Sequence, residues 1–194
     1  MTDLPDAIAI GASAGALDAL SAILPALPDA YPVPILIVVH LPPDKDSLLP
    51  SVLAAKCRLR VREAEDKEPI EAGTIYVAPP DYHLLVERDR TLSLSSDEEV
   101  NFSRPSIDVL FESAADAYGP GLVGIVLSGA NDDGARGLQA IGAAGGGIIV
   151  QQPSSASAAF MPQAALSACP AAQVLGLDSI AALLAGFVPH RCAS

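Results

Sequence analysis

Tryptophan is absent from the 194 residues, and aromatic side chains of any kind make up only 4% of them. Basic residues are scarce too: 11 Lys and Arg stand against 23 Asp and Glu, a formal net charge of −12. Without a Lys/Arg-rich run the chain lacks the electrostatic footprint of a nucleic-acid binder, and the same deficit works against docking on anionic lipid. Apolar runs are short, as in Ile35-Leu36-Ile37-Val38-Val39, and none nears the roughly 20 residues needed to cross a bilayer. The acidic start, Met1-Thr2-Asp3-Leu4-Pro5-Asp6, lacks the basic region of a secretory signal. Cys57, Cys169 and Cys192 are far apart and form no CxxC or zinc-type spacing, so neither a disulfide framework nor a metal site is expected. A reducing, cytoplasmic setting follows from that cysteine usage. With 51% hydrophobic and 18% charged residues, the chain has the means to bury a core and is not disordered.

What is present alternates. Apolar strand candidates at 7–10, 35–39, 122–127, 148–150 and 172–175 are separated by helical spacings. Leu17, Leu20 and Leu24 mark a first helix that Pro25 and Pro28 end. A helix is expected over 46–56, provided that Pro50 sits in its first turn, and an alternating strand over 59–62. Further helices read over 135–144, 161–168 and 179–186, and one opens at Pro105 with Ile107, Leu110, Phe111 and Ala114 on one face. Residues 74–78, 84–87 and 91–94 are short and turn-bounded, and predict an antiparallel hairpin region at one sheet edge. Continuous apolar strands between amphipathic helices imply an α/β fold: one three-layer, doubly wound domain over 1–194, with a mostly parallel sheet.

In such a sheet, reactive groups gather beyond the carboxyl ends of the strands. The first strand ends in Gly11-Ala12-Ser13-Ala14-Gly15, which satisfies G-x-S-x-G between strand and helix, the setting of a nucleophilic serine. The following helix N-terminus offers free N–H groups to a developing oxyanion. Two other readings compete: a serine N-cap in a small-residue turn, and a dinucleotide loop, which would want glycine in place of Ser13. The second strand ends in His40, an imidazole able to take the serine proton near neutral pH. His83 falls in the hairpin region and His190 in the C-terminal tail. A carboxylate that orients the imidazole would come from Asp132 or Asp133 in the loop at 128–134. The same pair raises calcium, but the EF-hand spacing with its distal Glu is missing.

Together these stretches resemble the catalytic domain of the CheB-type protein-glutamate methylesterases of bacterial chemotaxis. The resemblance runs from about residue 7 to 184. It rests on Ile10-Gly11-Ala12-Ser13, Val39-His40-Leu41-Pro42-Pro43, Val61-Arg62-Glu63-Ala64-Glu65-Asp66 and Tyr76-Val77-Ala78-Pro79. It continues through Arg104-Pro105-Ser106-Ile107-Asp108-Val109-Leu110-Phe111, Asp133-Gly134-Ala135 and Met161-Pro162. It implies a cofactor-free serine hydrolase that demethylates glutamate γ-methyl esters on chemoreceptor cytoplasmic helices and deamidates glutamines at similar sites. By that likeness Ser13 is the nucleophile, His40 the base and Asp133, rather than Asp132, the acid. Backbone N–H groups of Ala14 and Ala130 would form the oxyanion hole, and Arg104 and Arg136 would orient receptor carboxylates.

The chain departs from the family pattern in four places. Ala16 stands where a glycine is usual, and Gly129-Ala130-Asn131 replaces Gly-Met-Gly. Asn101-Phe102-Ser103-Arg104 lacks the usual histidine. The first strand starts so near Met1 that no N-terminal receiver domain is expected, which leaves three alternatives: no regulation, control by a regulatory protein in the receiver's place, or a chain cut from a longer organisation. The altered oxyanion loop keeps a second reading open, a non-catalytic receptor- or partner-binding homologue. Glycine-rich helix starts keep a third, a phosphate or nucleotide module. Because acidic protein and acidic receptor helices gain no long-range attraction, rising salt is expected to strengthen receptor binding or leave it unchanged. Sedimentation with receptor membranes across a salt series checks this, and strong loss of binding contradicts it.

Overall fold

Residues 4–40 and 48–188 of a computed structural model are described here. Leu41-Pro42-Pro43, the start of the helix expected over 46–56, His190 and Cys192 lie outside them. In chain order the elements are β1 (Ala7–Ala12), α1 (Ala16–Ile23), β2 (Ile35–Val39), α2 (Leu49–Ala54), β3 (Arg60–Glu63) and β4 (Thr74–Val77). A hairpin follows, β5 (His83–Val86) and β6 (Leu92–Ser95), then α3 (Ile107–Tyr118), β7 (Leu122–Val126) and α4 (Ala135–Ala143). The chain continues through β8 (Gly147–Gln151), α5 (Phe160–Ala168), β9 (Gln173–Leu175) and α6 (Leu177–Ala185). Pro50 does lie in the first turn of α2, where its missing N–H costs nothing.

Seven strands pair in the order β3-β4-β2-β1-β7-β8-β9, and every neighbouring pair is parallel. The continuous apolar runs have their reason here: β1, β2, β4 and β7 are buried along their whole length between two helical layers. The outer strand β3 carries Arg60, Arg62 and Glu63, charges that suit an edge. One expectation changes. The stretch at 74–78 is not part of the hairpin region; β4 is an inner parallel strand between β3 and β2. The hairpin β5–β6 forms a separate two-stranded sheet that packs on α3. Four turn-bounded residues look alike in either place, so only pairing partners distinguish them.

The chain leaves β1 for β2 on one side and comes back to β7 on the other, so the carboxyl ends of β1 and β7 frame the topological switch point. The two faces of the sheet differ in bulk along its middle strand, β1. Ile8, Ile10, Ile35, Ile37, Val123 and Ile125 point toward α1, α2 and α6. The opposite face carries Leu36, Val38, Leu122 and Val126 on the neighbouring strands, but β1 presents only Ala7 and Ala9 there, together with Gly11, and Gly124 lies on β7; their missing Cβ atoms leave room for Ile107 and Ile141. Small residues there let α3 and α4 sit low, and Ile107 over Gly11 brings the N-terminus of α3 to the carboxyl end of β1.

Helices α3 and α4 approach closely at Gly137, where a Cβ would lie 3.0 Å from the Asp108 Cα and 2.5 Å from the Phe111 Cβ. Neither neighbour is a flexible side-chain tip. Gly137→Ala is expected to destabilise the protein by about 1–3 kcal/mol, read as a lowered midpoint in denaturant with little change in slope.

Candidate active site

Ser13 follows β1 in a turn that other loops pin. Its N–H donates to the Ser128 carbonyl at 2.9 Å. The Ser128 hydroxyl donates to the Ala14 carbonyl at 2.6 Å and accepts from the Ala158 N–H at 2.8 Å. Ser13 is not the N-cap of α1; that place belongs to Gly15, at φ 82°. Only glycine suits the position, since a Cβ there would strike Ser157 and Ser128 besides adopting a left-handed backbone. The serine-cap reading is therefore set aside, and Ser13 is a partly exposed residue just beyond the carboxyl end of β1. The N–H groups of Ala14 and Ala130, both exposed residues, donate to no acceptor among the described residues.

His40 immediately follows β2, and its Nε2 lies 2.8 Å from Asp133 Oδ2. Asp133 is fully buried and gathers four further donors. Oδ1 accepts from Asn101 Nδ2 at 2.8 Å, the Ser106 hydroxyl at 2.8 Å and the Asp108 N–H at 3.2 Å. Oδ2 also accepts from the Ile107 N–H at 2.6 Å. Ile107 and Asp108 open α3, so the carboxylate from the β7–α4 loop caps a helix from a different part of the chain. Burial is the largest single influence on Asp133 and pushes its carboxyl up. Hydrogen bonds from His40, Asn101, Ile107 and Ser106 together outweigh it and hold the group below its ordinary 3.8. An ionised carboxylate can only accept, so His40 Nε2 carries a proton and Nδ1 presents the lone pair in the neutral ring.

Asp132, the alternative that the residues alone left open, is exposed. Asp108 lies next to the network, accepting from Asn101 at 2.9 Å and from the Gly137 N–H at 2.6 Å. Burial first, and then the charge on Asp133, raise its carboxyl above the usual range, against the Gly137 and Asn101 bonds. Asn101 thus bridges two carboxylates, one amide hydrogen to each. His83 is buried and structural: Ser106 N–H donates to its Nδ1 at 3.1 Å, and its Nε2 meets the Glu98 carbonyl at 3.0 Å.

Sequence reasoning assigned no role to Asn101, Ser106 or Asp108, although all three stand in or beside the Arg104–Phe111 stretch that carries the resemblance. It also treated Asn131 only as a departure. Asn131 Nδ2 lies 3.4 Å from His40 Nδ1, and its Oδ1 accepts from the Asp133 N–H at 3.4 Å. Among the described residues the Ser13 hydroxyl makes no hydrogen bond to His40. The structure therefore joins His40 with Asp133 and sets Asn131, not Ser13, beside the second imidazole nitrogen.

The two arginines are engaged elsewhere. Arg104 binds Asp81 through Nε at 3.1 Å and Nη2 at 2.6 Å, and the carbonyls of Ser96 and Asp97 through Nη1 at 3.2 and 2.9 Å. It fastens those loops to the approach to α3. Arg136 is 64% exposed and pairs with Glu112 at 2.7 Å, with Asp108 at 3.8 Å, along an open groove between α3 and α4. Arg104 has all three guanidinium nitrogens engaged, whereas Arg136 uses its Nε for both carboxylates. No group of His, Cys, Asp and Glu able to hold a metal ion occurs among the described residues. Nor is any described helix long and apolar enough to cross a membrane.

Comparison with known proteins bears on the chain as a whole. A family model described as CheB methylesterase matches residues 8–184. A Leptospira interrogans relative, assigned by name as a protein-glutamate methylesterase/protein-glutamine glutaminase, is 49% identical over 178 residues, which cover 92% of each chain. The Methanosarcina mazei protein-glutamate methylesterase/protein-glutamine glutaminase 2 is 38% identical over 93% of this chain, which spans only 51% of that longer protein. The crystal structure of the Thermotoga maritima CheB methylesterase catalytic domain superposes with a TM-score of 0.89 at 29% identity, covering 97% of this chain and all of that one.

Replacing Asp133 by Asn leaves an amide N–H₂ facing donors. About 1–3 kcal/mol of stability is expected to be lost at neutral pH. The native carboxyl lies below its unfolded value, so its stabilisation is complete well above 3.8 and is withdrawn as pH falls through the lower native value. Urea titrations should accordingly show a shallower acid-side decline in Asp133→Asn than in the parent.

Proposed function

The chain belongs to the CheB methylesterase family, and on that premise we propose that it hydrolyses glutamyl γ-methyl esters on chemoreceptor helices in the cytoplasm. Deamidation of glutamine side chains at similar sites is part of the same proposal, since ester and amide differ only in the leaving group. The observation that carries it is the His40–Asp133 pair at 2.8 Å, held beyond the carboxyl ends of the central strands beside the Ser13 turn.

Ser13 Oγ attacks the ester carbonyl carbon while its proton passes to His40 Nδ1, the nitrogen that Asp133 leaves free. For this step the hydroxyl takes the place of the Asn131 amide at Nδ1, a contact that forms as substrate fills the site. Asp133 holds the ring in register and stabilises the imidazolium. The carbonyl oxygen becomes an oxyanion, which the unengaged N–H groups of Ala14 and Ala130 receive. Collapse breaks the carbon–methoxy bond, and the proton on His40 leaves with methanol, or with ammonia from glutamine. Water then gives a proton to His40 and adds to the acyl-enzyme, which releases the glutamate carboxylate and restores the Ser13 hydroxyl.

Asn131 at Nδ1 is the one observation that favours the other reading, a homologue that binds receptors or partners without catalysis. A fluorophosphonate separates the two. Stoichiometric labelling that is lost in Ser13→Ala is expected of the esterase, together with at least about a 10³-fold loss of methanol release from methylated receptor membranes. Undiminished methanol release from Ser13→Ala would sink the esterase reading.

A further inference from the structure

The loop leading into α3 holds a residue that the proposed chemistry does not use. Val100 and Ser103 exchange both backbone hydrogen bonds, at 3.2 and 3.0 Å, around a two-residue turn. Its central residues, Asn101 and Phe102, both have positive φ, 53° and 58°. Two successive positive φ angles between antiparallel partners mark a type I′ turn, which favours asparagine followed by glycine. Asn101 suits its position, and Phe102 does not. A bulky side chain at positive φ is an outlier, and no packing compensates for it, because Phe102 is 98% exposed. The folded chain by itself would be better served by glycine, so the reason for phenylalanine lies outside it.

The turn is tied to the site. Asn101, the neighbour of Phe102, donates to both Asp133 and Asp108. Other exposed large apolar side chains share this edge of the molecule. Leu17 lies in the first turn of α1, Leu48 before α2, Tyr82 before β5 and Phe160 at the start of α5. Each follows the carboxyl end of a parallel strand or starts a helix there, and so rims the face on which Ser13 and His40 lie. Charge offers no alternative source of attraction for an acidic partner: Asp97, Glu98 and Glu99 precede the turn, and the net charge is −12. An apolar contact gains affinity without needing charge complementarity, and salt does not screen it.

We infer that Phe102 is a specificity-determining residue that anchors the polypeptide substrate, seating its ring on the apolar stripe of an amphipathic helix whose esterified glutamyl side chain reaches Ser13. The occupant is a helix of the protein substrate, because the polypeptide that carries the ester has to pass over the site, and exposed Phe102 is next to Asn101, which bonds the carboxylate that holds His40. This inference rests on the esterase reading above.

Phe102→Gly tests it, since glycine suits the turn and leaves Asn101 in place. Methylated receptor membranes and p-nitrophenyl acetate, a small ester with no helix to dock, are compared as substrates of the whole chain. The KM for receptor is expected to rise about tenfold with kcat changed by no more than about twofold, so that preference for receptor over small ester falls about tenfold. Phe102→Leu, which keeps an apolar side chain, is expected to recover part of that loss. An unchanged receptor KM in Phe102→Gly overturns the inference. So does an equal fall on both esters, which would make Phe102 part of the catalytic loop's scaffold. If the parent protein cleaves neither ester, the esterase reading fails separately, and co-sedimentation with methylated receptor membranes decides. Binding by Phe102→Gly about tenfold weaker than the parent then supports the anchor, and equal binding overturns it.

Discussion

A single buried carboxylate organises the upper edge of this protein. Asp133 takes hydrogen bonds from the imidazole of His40, the amide of Asn101, the hydroxyl of Ser106 and the first two N–H groups of α3. Those donors come from the end of β2, the loop before α3 and α3 itself, while the acceptor comes from the loop after β7. Burying a charge is costly unless it is fully hydrogen-bonded, and here the donors are numerous enough to keep the carboxyl ionised. The same bonds that make the charge tolerable also orient the ring of His40 and fasten α3 to the sheet. Catalytic geometry and fold stability therefore share one set of contacts.

That arrangement depends on an asymmetry in the sheet. Toward α1 and α6 the central strands present isoleucines and valines, which hold those helices at an ordinary distance. Toward α3 and α4 the middle strand β1 presents only Ala7, Ala9 and Gly11, flanked by Leu36, Val38, Leu122 and Val126 of its neighbours, and Ile107 fills the space that Gly11 leaves empty. A helix resting on small residues can lie closer to the strands, and the contact of Ile107 with Gly11 places the first turn of α3 at the carboxyl end of β1. The missing side chain of Gly11 thus leaves room for Ile107, one of the two residues whose N–H groups Asp133 accepts from. The Ser13 turn is held from the other direction by Ser128, whose hydroxyl bonds both the Ala14 carbonyl and the Ala158 N–H.

Much of this is written in local patterns. Fully apolar runs at β1, β2 and β7, each followed by a glycine-bearing or polar loop, express strands buried on both faces, and burial on both faces is a property that sequence periodicity records directly. Ser13 and His40 are legible for the same reason, as polar residues that immediately follow such runs. The assignment of β4 failed because four residues bounded by turns carry no information about their partners. The network residues escaped for a related reason. Asn101, Ser106 and Asp108 have the composition of any loop leading to a helix cap, and nothing local shows that their donors converge on a carboxylate about thirty positions away.

Sequence alone, then, determined the α/β class, the strand ends on which polar chemistry is displayed and the candidate residues Ser13, His40 and the aspartate pair, since each follows from composition and spacing within a dozen residues. The family resemblance had already preferred Asp133 to Asp132, and the tertiary structure shows it meeting His40; only that structure decided that Gly15 rather than Ser13 caps α1, that Arg104 and Arg136 are engaged in ion pairs, and that Asn131 stands at the open imidazole nitrogen. Each of these is a choice between groups of the same type or neighbouring positions. Such choices are made by distance and direction in three dimensions, where one residue along the chain turns a side chain from a buried network toward solvent.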